Sequence, residues 1–413
     1  MVFSFQCRAD GAGSGPDNSI HPMRILIATA TAGGGHLAAA AALAEAWRTF
    51  RAEDVVEQLD LVKLFSPLHR KVHADGYLKL VERAPELWGM IFDKTNEPRA
   101  ARRLNRLRRL VPSHSRARFA RYLKQFRPEA VLCTHYLPLE ALGSLRARHA
   151  ARSTRGIREA PQPPAGFPFV VSIVTDFEAH ALWMDPGVDL YCVAAEETKA
   201  RLVARGAAAD KVVVTGIPVS GRFSAKPDAR QVRKALGLRD DQPVLLVLGG
   251  GYGLGPVREI VAELDKVARP FQTVVVTGRN EQLRRDLAAQ DRKHPTHVLG
   301  YASNMHELMA VAELVITKPG GLTSSEVLAI GKPLFVVNPI PGQEAANSDF
   351  LLERGAAAKA NRVEDLPYRL EQLLGSKKLA EMARAAKALG RPEAAREICE
   401  EVVRRLARPL SQP

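Results

Sequence analysis

Three stretches of this sequence combine glycines with imidazole, hydroxyl, amide or acidic side chains where an apolar run gives way to a helical pattern. The first reads Thr29-Ala30-Thr31-Ala32-Gly33-Gly34-Gly35-His36 and enters the alanine-rich segment Leu37–Trp47. Glycine permits close backbone approach and positive φ, and a helix start offers N–H groups at the positive end of its dipole. An anion or a sugar fits such a turn. The Gly-Lys-Ser/Thr ending of a Walker loop is missing, and so is the spacing of a dinucleotide fingerprint. His36, on the first residues of the helix, has an ordinary pKa near ~6.5 and suits a general base; its alternative role is to cap the glycine turn.

The second stretch is Thr317-Lys318-Pro319-Gly320-Gly321-Leu322-Thr323-Ser324-Ser325-Glu326. Its glycines and the N–H groups of Gly321–Ser324, with the hydroxyls of Thr323 and Ser324, form a pattern for phosphate oxygens. Glu326 lies one turn on, where a carboxylate either accepts both hydroxyls of a ribose or merely complements the helix dipole. The third stretch is Asn338-Pro339-Ile340-Pro341-Gly342-Gln343-Glu344-Ala345-Ala346-Asn347. The prolines and glycine fix a loop, after which Gln343, Glu344 and Asn347 present the donor and acceptor mix that a hydroxyl-rich ligand needs.

Positioning such turns requires strands ahead of them and helices behind. Two series of apolar runs alternate with helical patterns: Arg24–Ala30, Asp54–Leu61, Ala130–Cys133, Phe169–Val174, Leu190–Ala194 and Lys211–Thr215, then Val244–Leu248, Gln272–Thr277, His297–Leu299, Leu314–Thr317, Pro333–Asn338 and Ala357–Ala360. This alternation predicts an α/β protein with two doubly wound, parallel-sheet domains facing a cleft. Ligands bind outside the carboxyl ends of such strands, where the three glycine stretches fall. Residues 1–22 read as a disordered leader, 23–217 as the first domain, 218–230 as a linker and 231–391 as the second domain. The helix and tail at 392–413 are compatible with either domain.

At 413 residues, 46% hydrophobic and 25% charged, the chain has the composition of a globular protein large enough for two cores. It has no apolar run long enough to span a bilayer and no apolar leader, and its four cysteines lie far apart. A cytoplasmic protein without a disulfide framework or a cysteine zinc site is expected. The net charge of +14 is concentrated in one acid-free run: Arg99, Arg102, Arg103, Arg106, Arg108, Arg109, Arg116, Arg118, Arg121, Lys124 and Arg127. Just ahead of it stand Tyr77, Leu78, Leu80, Val81, Leu87, Trp88, Met90, Ile91 and Phe92, while Leu104, Leu107 and Val111 recur within it at helical spacing. Apolar residues beside many cations predict a contact with anionic membrane lipids on the inner face of the cell membrane; the alternative is core packing with solvated arginines. The few aromatics there, Phe119, Tyr122 and Phe126, lend little to nucleic-acid recognition.

Gly-Gly-Gly-His36, Thr175-Asp176-Phe177 with His180 and Trp183, Thr215-Gly216-Ile217-Pro218, Lys318-Pro319-Gly320-Gly321-Leu322-Thr323 and Pro341-Gly342-Gln343-Glu344 with Asn347 occur in this order. In this combination the chain resembles, from about Met23 to about Ala360, the diacylglycerol glycosyltransferases. These are the plant-type monogalactosyldiacylglycerol synthases and the bacterial processive diacylglycerol glucosyltransferases, relatives of the peptidoglycan-precursor N-acetylglucosaminyltransferase. The Lys-Pro-Gly-Gly form is closer to the bacterial members, and Thr31-Ala32 replaces the Asp-Thr of plant-type ones.

The resemblance implies a GT-B fold, with a UDP-sugar (UDP-glucose or UDP-galactose) held by the second domain and diacylglycerol by the first. It implies that Gly320, Gly321, Leu322 and Thr323 hold the diphosphate, Glu326 the ribose, and Gln343, Glu344 and Asn347 the sugar, with Lys318 also in the donor site. Tyr301 to Met305 would line the uracil, while Gly33, Gly34, Gly35, Gly249, Gly250 and Gly251 approach from the facing turns. Members of this kind invert the anomeric carbon in one displacement, so a base must take the acceptor's proton. His36 is the first candidate; Asp176 is the second, or an orienting group, or a cap on the turn after its strand. No Asp-x-Asp metal pair is evident, and no cofactor or metal is expected. Competing expectations are a UDP-sugar transferase with another hydrophobic acceptor and a non-catalytic protein that binds sugar nucleotides or polyanions.

Overall fold

The computed structural model describes residues 21–31, 34–67, 69–70, 84–97, 111–153, 167–225, 227–251, 253 and 255–407. The expectations for the leader up to residue 20, Gly33, Tyr77 to Val81 and Arg99 to Arg109 lie outside the described residues.

Two six-stranded sheets organise the described chain. The first holds β1 (Arg24–Thr29), β2 (Val55–Asp60), β3 (Ala130–Cys133), β4 (Phe169–Ile173), β5 (Leu190–Val193) and β6 (Val212–Val214). The second holds β7 (Val244–Leu248), β8 (Gln272–Val276), β9 (Thr296–Leu299), β10 (Leu314–Thr317), β11 (Leu334–Val337) and β12 (Ala357–Ala360). Each strand overlaps an apolar run identified in the sequence, and neighbouring strands pair in parallel.

Helices cover both faces of each sheet, which is why the strands read as unbroken apolar runs. In β1, Leu26 and Ala28 enter one core while Ile25 and Ile27 enter the core on the opposite face, all four at 0% exposure. Such complete burial stabilises the fold by roughly 1.5–3 kcal/mol for each large aliphatic side chain. In β7 the same alternation sends Leu245 and Val247 to one core and Val244, Leu246 and Leu248 to the other.

The strand orders are β2-β1-β3-β4-β5-β6 and β12-β11-β10-β7-β8-β9. The order reverses between β1 and β3 in one sheet and between β7 and β10 in the other. At such switch points successive crossovers leave on opposite faces and open a crevice at the carboxyl ends. His36 follows β1, and Gly249 and Lys318 follow β7 and β10, so the topology itself gathers the chemically equipped turns.

The helix Ala394–Ala407 returns to the first sheet. Its Ala395, Ile398, Cys399 and Val402 share a core with Leu43 and Trp47 of the helix Gly34–Phe50, which settles the assignment that the sequence leaves open. The connection between the sheets is itself packed. Val219 and Phe223 join a core built mainly on the second sheet, and Ser220 donates to Glu45 at 2.8 Å.

Part of the cationic run proves structural. Arg116 is only 2% exposed and donates to the Val111 carbonyl at 2.7 Å beside Glu140, whereas Arg118, Arg121, Lys124 and Arg127 are exposed. Val111, Phe119 and Phe126 are core residues, and Tyr122 donates to Glu57. Val111 thus packs into the core, while Leu104 and Leu107 lie outside the described residues. Among the described residues, no helix is long and apolar enough to cross a membrane.

Candidate active site

A cleft of about 690 Å³ separates the carboxyl ends of the two sheets. The expected site residues within the described chain line it, apart from Asn347, Ser324 and, within the Tyr301 to Met305 stretch, Ser303 and Asn304. From the first domain come Gly34, Gly35, His36, Thr175 and Asp176. Side chains at Gly34, Gly250, Gly251 or Gly320 would project into open space, so bulk is missing where a ligand needs room. Gly35 instead lies 3.6 Å, measured from where its Cβ would stand, from the Leu322 Cβ. The starts of helices Gly34–Phe50 and Gly321–Ala329 thus face each other across the cleft.

His36 is fixed at both ends. Its carbonyl accepts from Thr134 Oγ1 at 3.0 Å and Thr29 Oγ1 at 3.3 Å, both at strand ends flanking the switch point. Its Nδ1 lies 2.9 Å from Thr175 Oγ1, and its ring meets His135 edge-on at a centroid distance of 4.7 Å. Burial pushes His36 down to about 4, against a smaller upward pull from a hydrogen bond to the Thr134 backbone. The imidazole is consequently neutral at pH 7, as a base must be. Thr31, through its N–H and hydroxyl, bonds to Asp60 at the end of β2. Burial raises the carboxyl of Asp176, opposed by the hydrogen bond it accepts from Asn347.

In the second domain, the helix Gly321–Ala329 begins at Gly320 with no side-chain cap, leaving its first turn available to a ligand. Thr323 and Glu326 share its cleft face. Ser324 does not, being fully buried with its N–H bonded to Gly320. Burial pushes Glu326 up to about 8. Lys318 stands 3.9 Å from Glu344, whose other oxygen accepts from the Ile340 N–H at 2.9 Å. Glu344 therefore shapes its own loop while facing the cleft. Asn338, at φ 48, and Gly342, at φ 93, provide the left-handed turns of that loop.

Asn347 departs from its expected contact with sugar hydroxyls. It is 0% exposed, and its amide is spent on Phe177, Asp176 and Pro319. The spacing after Gln343 and Glu344 puts it on the next turn of the helix Gln343–Glu353, facing inward. Phe92 likewise departs from the expected lipid-facing stretch. In the helix Pro85–Asn96, Gly89 and Phe92 press on Pro341 and Gly342, leaving Leu87 and Met90 exposed at 48% and 52%. His180 pins this helix through Nε2, close to Phe92 O and Thr95 Oγ1 at 3.1 Å each, while its Nδ1 accepts from Leu182.

Two polar cleft residues have no role assigned from the sequence, although Thr175 belongs to a quoted motif. Thr175 carries the hydrogen bond to His36, and Arg279 lines the cleft with its guanidinium 5.8 Å from the Tyr301 ring centroid. The signal for Arg279 was the strand–glycine–helix pattern repeated at Thr277-Gly278-Arg279-Asn280, with Gly278 at φ 60 and Asn280 capping the next helix.

Residues 36–219 match the family described as monogalactosyldiacylglycerol (MGDG) synthase, and residues 244–398 match the glycosyltransferase family 28 C-terminal domain. The chain is 30% identical over 387 residues to a processive diacylglycerol beta-glucosyltransferase of Bacillus cereus, spanning 92% of this chain and 93% of that protein. The same identity and coverage hold for the Bacillus thuringiensis protein of that name. Solved structures share the fold. Acinetobacter baumannii MurG aligns with a TM-score of 0.56 and 17% identity over 93% of this chain and 100% of that one. The S. aureus MnaA-UDP structure aligns at 0.60 and 13% over 95% and 99%, and Anabaena HepE in complex with UDP-glucose at 0.52 and 14% over 93% and 100%.

Proposed function

Because the chain belongs to the glycosyltransferase family of monogalactosyldiacylglycerol synthases and processive diacylglycerol glucosyltransferases, we propose that it moves a hexose from UDP-glucose or UDP-galactose to 1,2-diacylglycerol. The observation that carries this beyond family membership is the pairing across one cleft of a neutral, anchored imidazole with an uncapped helix start.

The donor lies with its ribose hydroxyls on Glu326 and its diphosphate over Gly320–Thr323. The uracil sits by Tyr301 and Met305, and the hexose by Gln343 and Glu344. The acceptor hydroxyl attacks the anomeric carbon opposite UDP, the bond to the β-phosphate oxygen breaks, and a His36 ring nitrogen takes the hydroxyl proton. One displacement gives a β-glycosyl lipid. The negative charge growing on UDP is met by the helix start and by Lys318. Thr175 keeps the imidazole oriented. Asp176 sits beside the sugar as an orienting carboxyl.

Diacylglycerol reaches the cleft past the helix Pro85–Asn96, whose exposed Leu87 and Met90 enter an anionic membrane surface alongside the cationic run. The enzyme thus works as a peripheral protein on the cytoplasmic face, with no resident cofactor or metal.

Incubating the pure protein with each UDP-hexose and vesicles containing diacylglycerol, with and without anionic lipid, tests this directly. The expected product is a diacylglycerol hexoside, identified by mass and cleaved by a β-glycosidase, formed fastest on anionic vesicles. Transfer only to a different lipid alcohol would reassign the acceptor. UDP-sugar binding without turnover on any acceptor would overturn the proposal.

A further inference from the structure

Asn347 stands on the helix Gln343–Glu353 of the second domain, yet most of its side chain's hydrogen bonds go to the first. Its Oδ1 accepts from the Phe177 N–H at 2.9 Å, and its Nδ2 donates to Asp176 Oδ1 at 3.0 Å and to the Pro319 carbonyl at 3.1 Å. The amide orientation is dictated by these partners, since an N–H must meet the oxygen and a carbonyl must meet the nitrogen. Both amide hydrogens are used, and the residue is 0% exposed, so it has no donor left for a sugar hydroxyl.

The surroundings extend the same junction. The Phe177 and Phe350 rings stack at 4.4 Å and 14°. A methyl group on Gly321 would stand 2.0 Å from the Thr175 carbonyl oxygen, so only glycine lets the two domains approach this closely. Thr198 Oγ1 holds the Phe177 carbonyl at 2.6 Å from the first-domain side. Residues Thr175–Phe177 are thereby gripped from both domains, and Thr175 is the hydrogen-bond partner of His36.

We infer that Asn347 is a positioning residue for hexose transfer: its amide clasps the two domains shut and sets the distance between His36 and the donor held over Gly320–Thr323. The inference builds on the transfer proposed above, but the clasp itself is measurable without any acceptor. It acts through Thr175 and Asp176 and makes no contact with substrate.

Asn347→Ala removes all three hydrogen bonds, and Asn347→Asp replaces the donor with a carboxylate facing Asp176. Both are compared with the parent by small-angle X-ray scattering, by calorimetric UDP titration and by steady-state kinetics. The expected result is a larger radius of gyration in the ligand-free protein, unchanged UDP affinity, and kcat reduced roughly 10–100-fold, the scale of an ångström-sized misplacement, with KM for the UDP-hexose little altered. Parent-like dimensions with a raised KM and normal kcat would overturn the inference and return Asn347 to the sugar. An expanded protein with normal kcat would overturn it too. Should both variants fail to fold, Phe350→Leu keeps every hydrogen bond and weakens only the stacked pair. Expansion with reduced kcat there supports the clasp, and parent values in both refute it. If no transfer is found at all, the scattering comparison still decides the clasp, because it is independent of the acceptor.

Discussion

Burial gives His36 the protonation state that its proposed task requires, and it also shifts where acid should act. From composition alone an imidazole loses its basicity near pH 6.5; in the folded protein His36 holds out to about 4. We therefore expect kcat/KM to stay level in this group between pH 7 and 5 and to fall only toward pH 4, and His36→Ala to lose roughly 10²–10⁴ in kcat while UDP still binds. A full acid limb centred at 6.5, or a variant with normal turnover at saturation, would contradict this. Stability follows the same group. The unfolded chain takes up this proton near 6.5 and the folded one only near 4, so the contribution is complete above about 6.5 and is lost as pH falls through that window. His180, also lowered to about 4, chiefly by burial, adds to the loss. Glu326 behaves oppositely. Raised to about 8 by burial, it is mostly protonated in the empty cleft at pH 7, and stability from this group fades as pH rises from about 4.5 through 8. If ribose hydroxyls donate to it as a carboxylate, UDP binding should release protons. Calorimetry in two buffers of different ionisation enthalpy reads that release. Glu326→Gln should abolish it and weaken UDP by roughly 1.5–3 kcal/mol, the worth of hydrogen bonds to a charged group. Equal heats in both buffers for the parent would remove the carboxylate from the ribose.

Between residue and domain stand the elements that aim these groups, and the helix Pro85–Asn96 shows how one element serves two neighbours. A repeat near 3.6 residues puts Gly89, Phe92 and Asn96 on one face, against Pro341, Gly342 and the Ala181 N–H, and Leu87 and Met90 on another. The apolar run was legible in the sequence. Which of its members face inward was not, because the partner loop lies some 250 residues away. Gly342, at φ 93 and with no room for a Cβ beside Phe92, marks the contact from the other side. Replacing Leu87 and Met90 together by Ser removes apolar surface without touching the packed face. Co-sedimentation with anionic vesicles should fall several-fold while UDP affinity and the melting temperature hold. Undiminished sedimentation would place the membrane contact elsewhere. The mixed fate of the cationic run teaches the same lesson. Arg116 is drawn into the core by Glu140 and the Val111 carbonyl, whereas the exposed Arg118, Arg121, Lys124 and Arg127 keep the charge that an anionic surface would meet.

At the scale of the molecule, two sheets share one cleft because their switch points face each other, and several contacts among the described residues hold the faces in register. Among them are the junction around Asn347 and Gly321 and the helix Ala394–Ala407, which follows the second sheet in the chain and buries Ile398 and Val402 against Trp47 on the first. The sequence by itself determined the twelve strands, their division into two parallel sheets and the glycine turns at their ends. All of these follow from local pattern: runs buried on both faces must be apolar throughout, and turns that admit a ligand must be small. It also marked most of the glycines and polar residues that line the cleft, since polar groups directly after a buried strand have few other places to go. Tertiary structure alone decided which polar groups turn toward the ligand and which toward the protein. Asn347 and Ser324 carry the same kind of chemistry as Gln343 and Thr323, but Ser324, one residue on from Thr323, is rotated off the cleft face, while Asn347, on the same face as Gln343 one turn further along the helix, lies too deep to reach the cleft. The pKa values of His36 and Glu326 were decided there too, because desolvation depends on what surrounds a group in space, and those surroundings come from strands and loops remote in the chain.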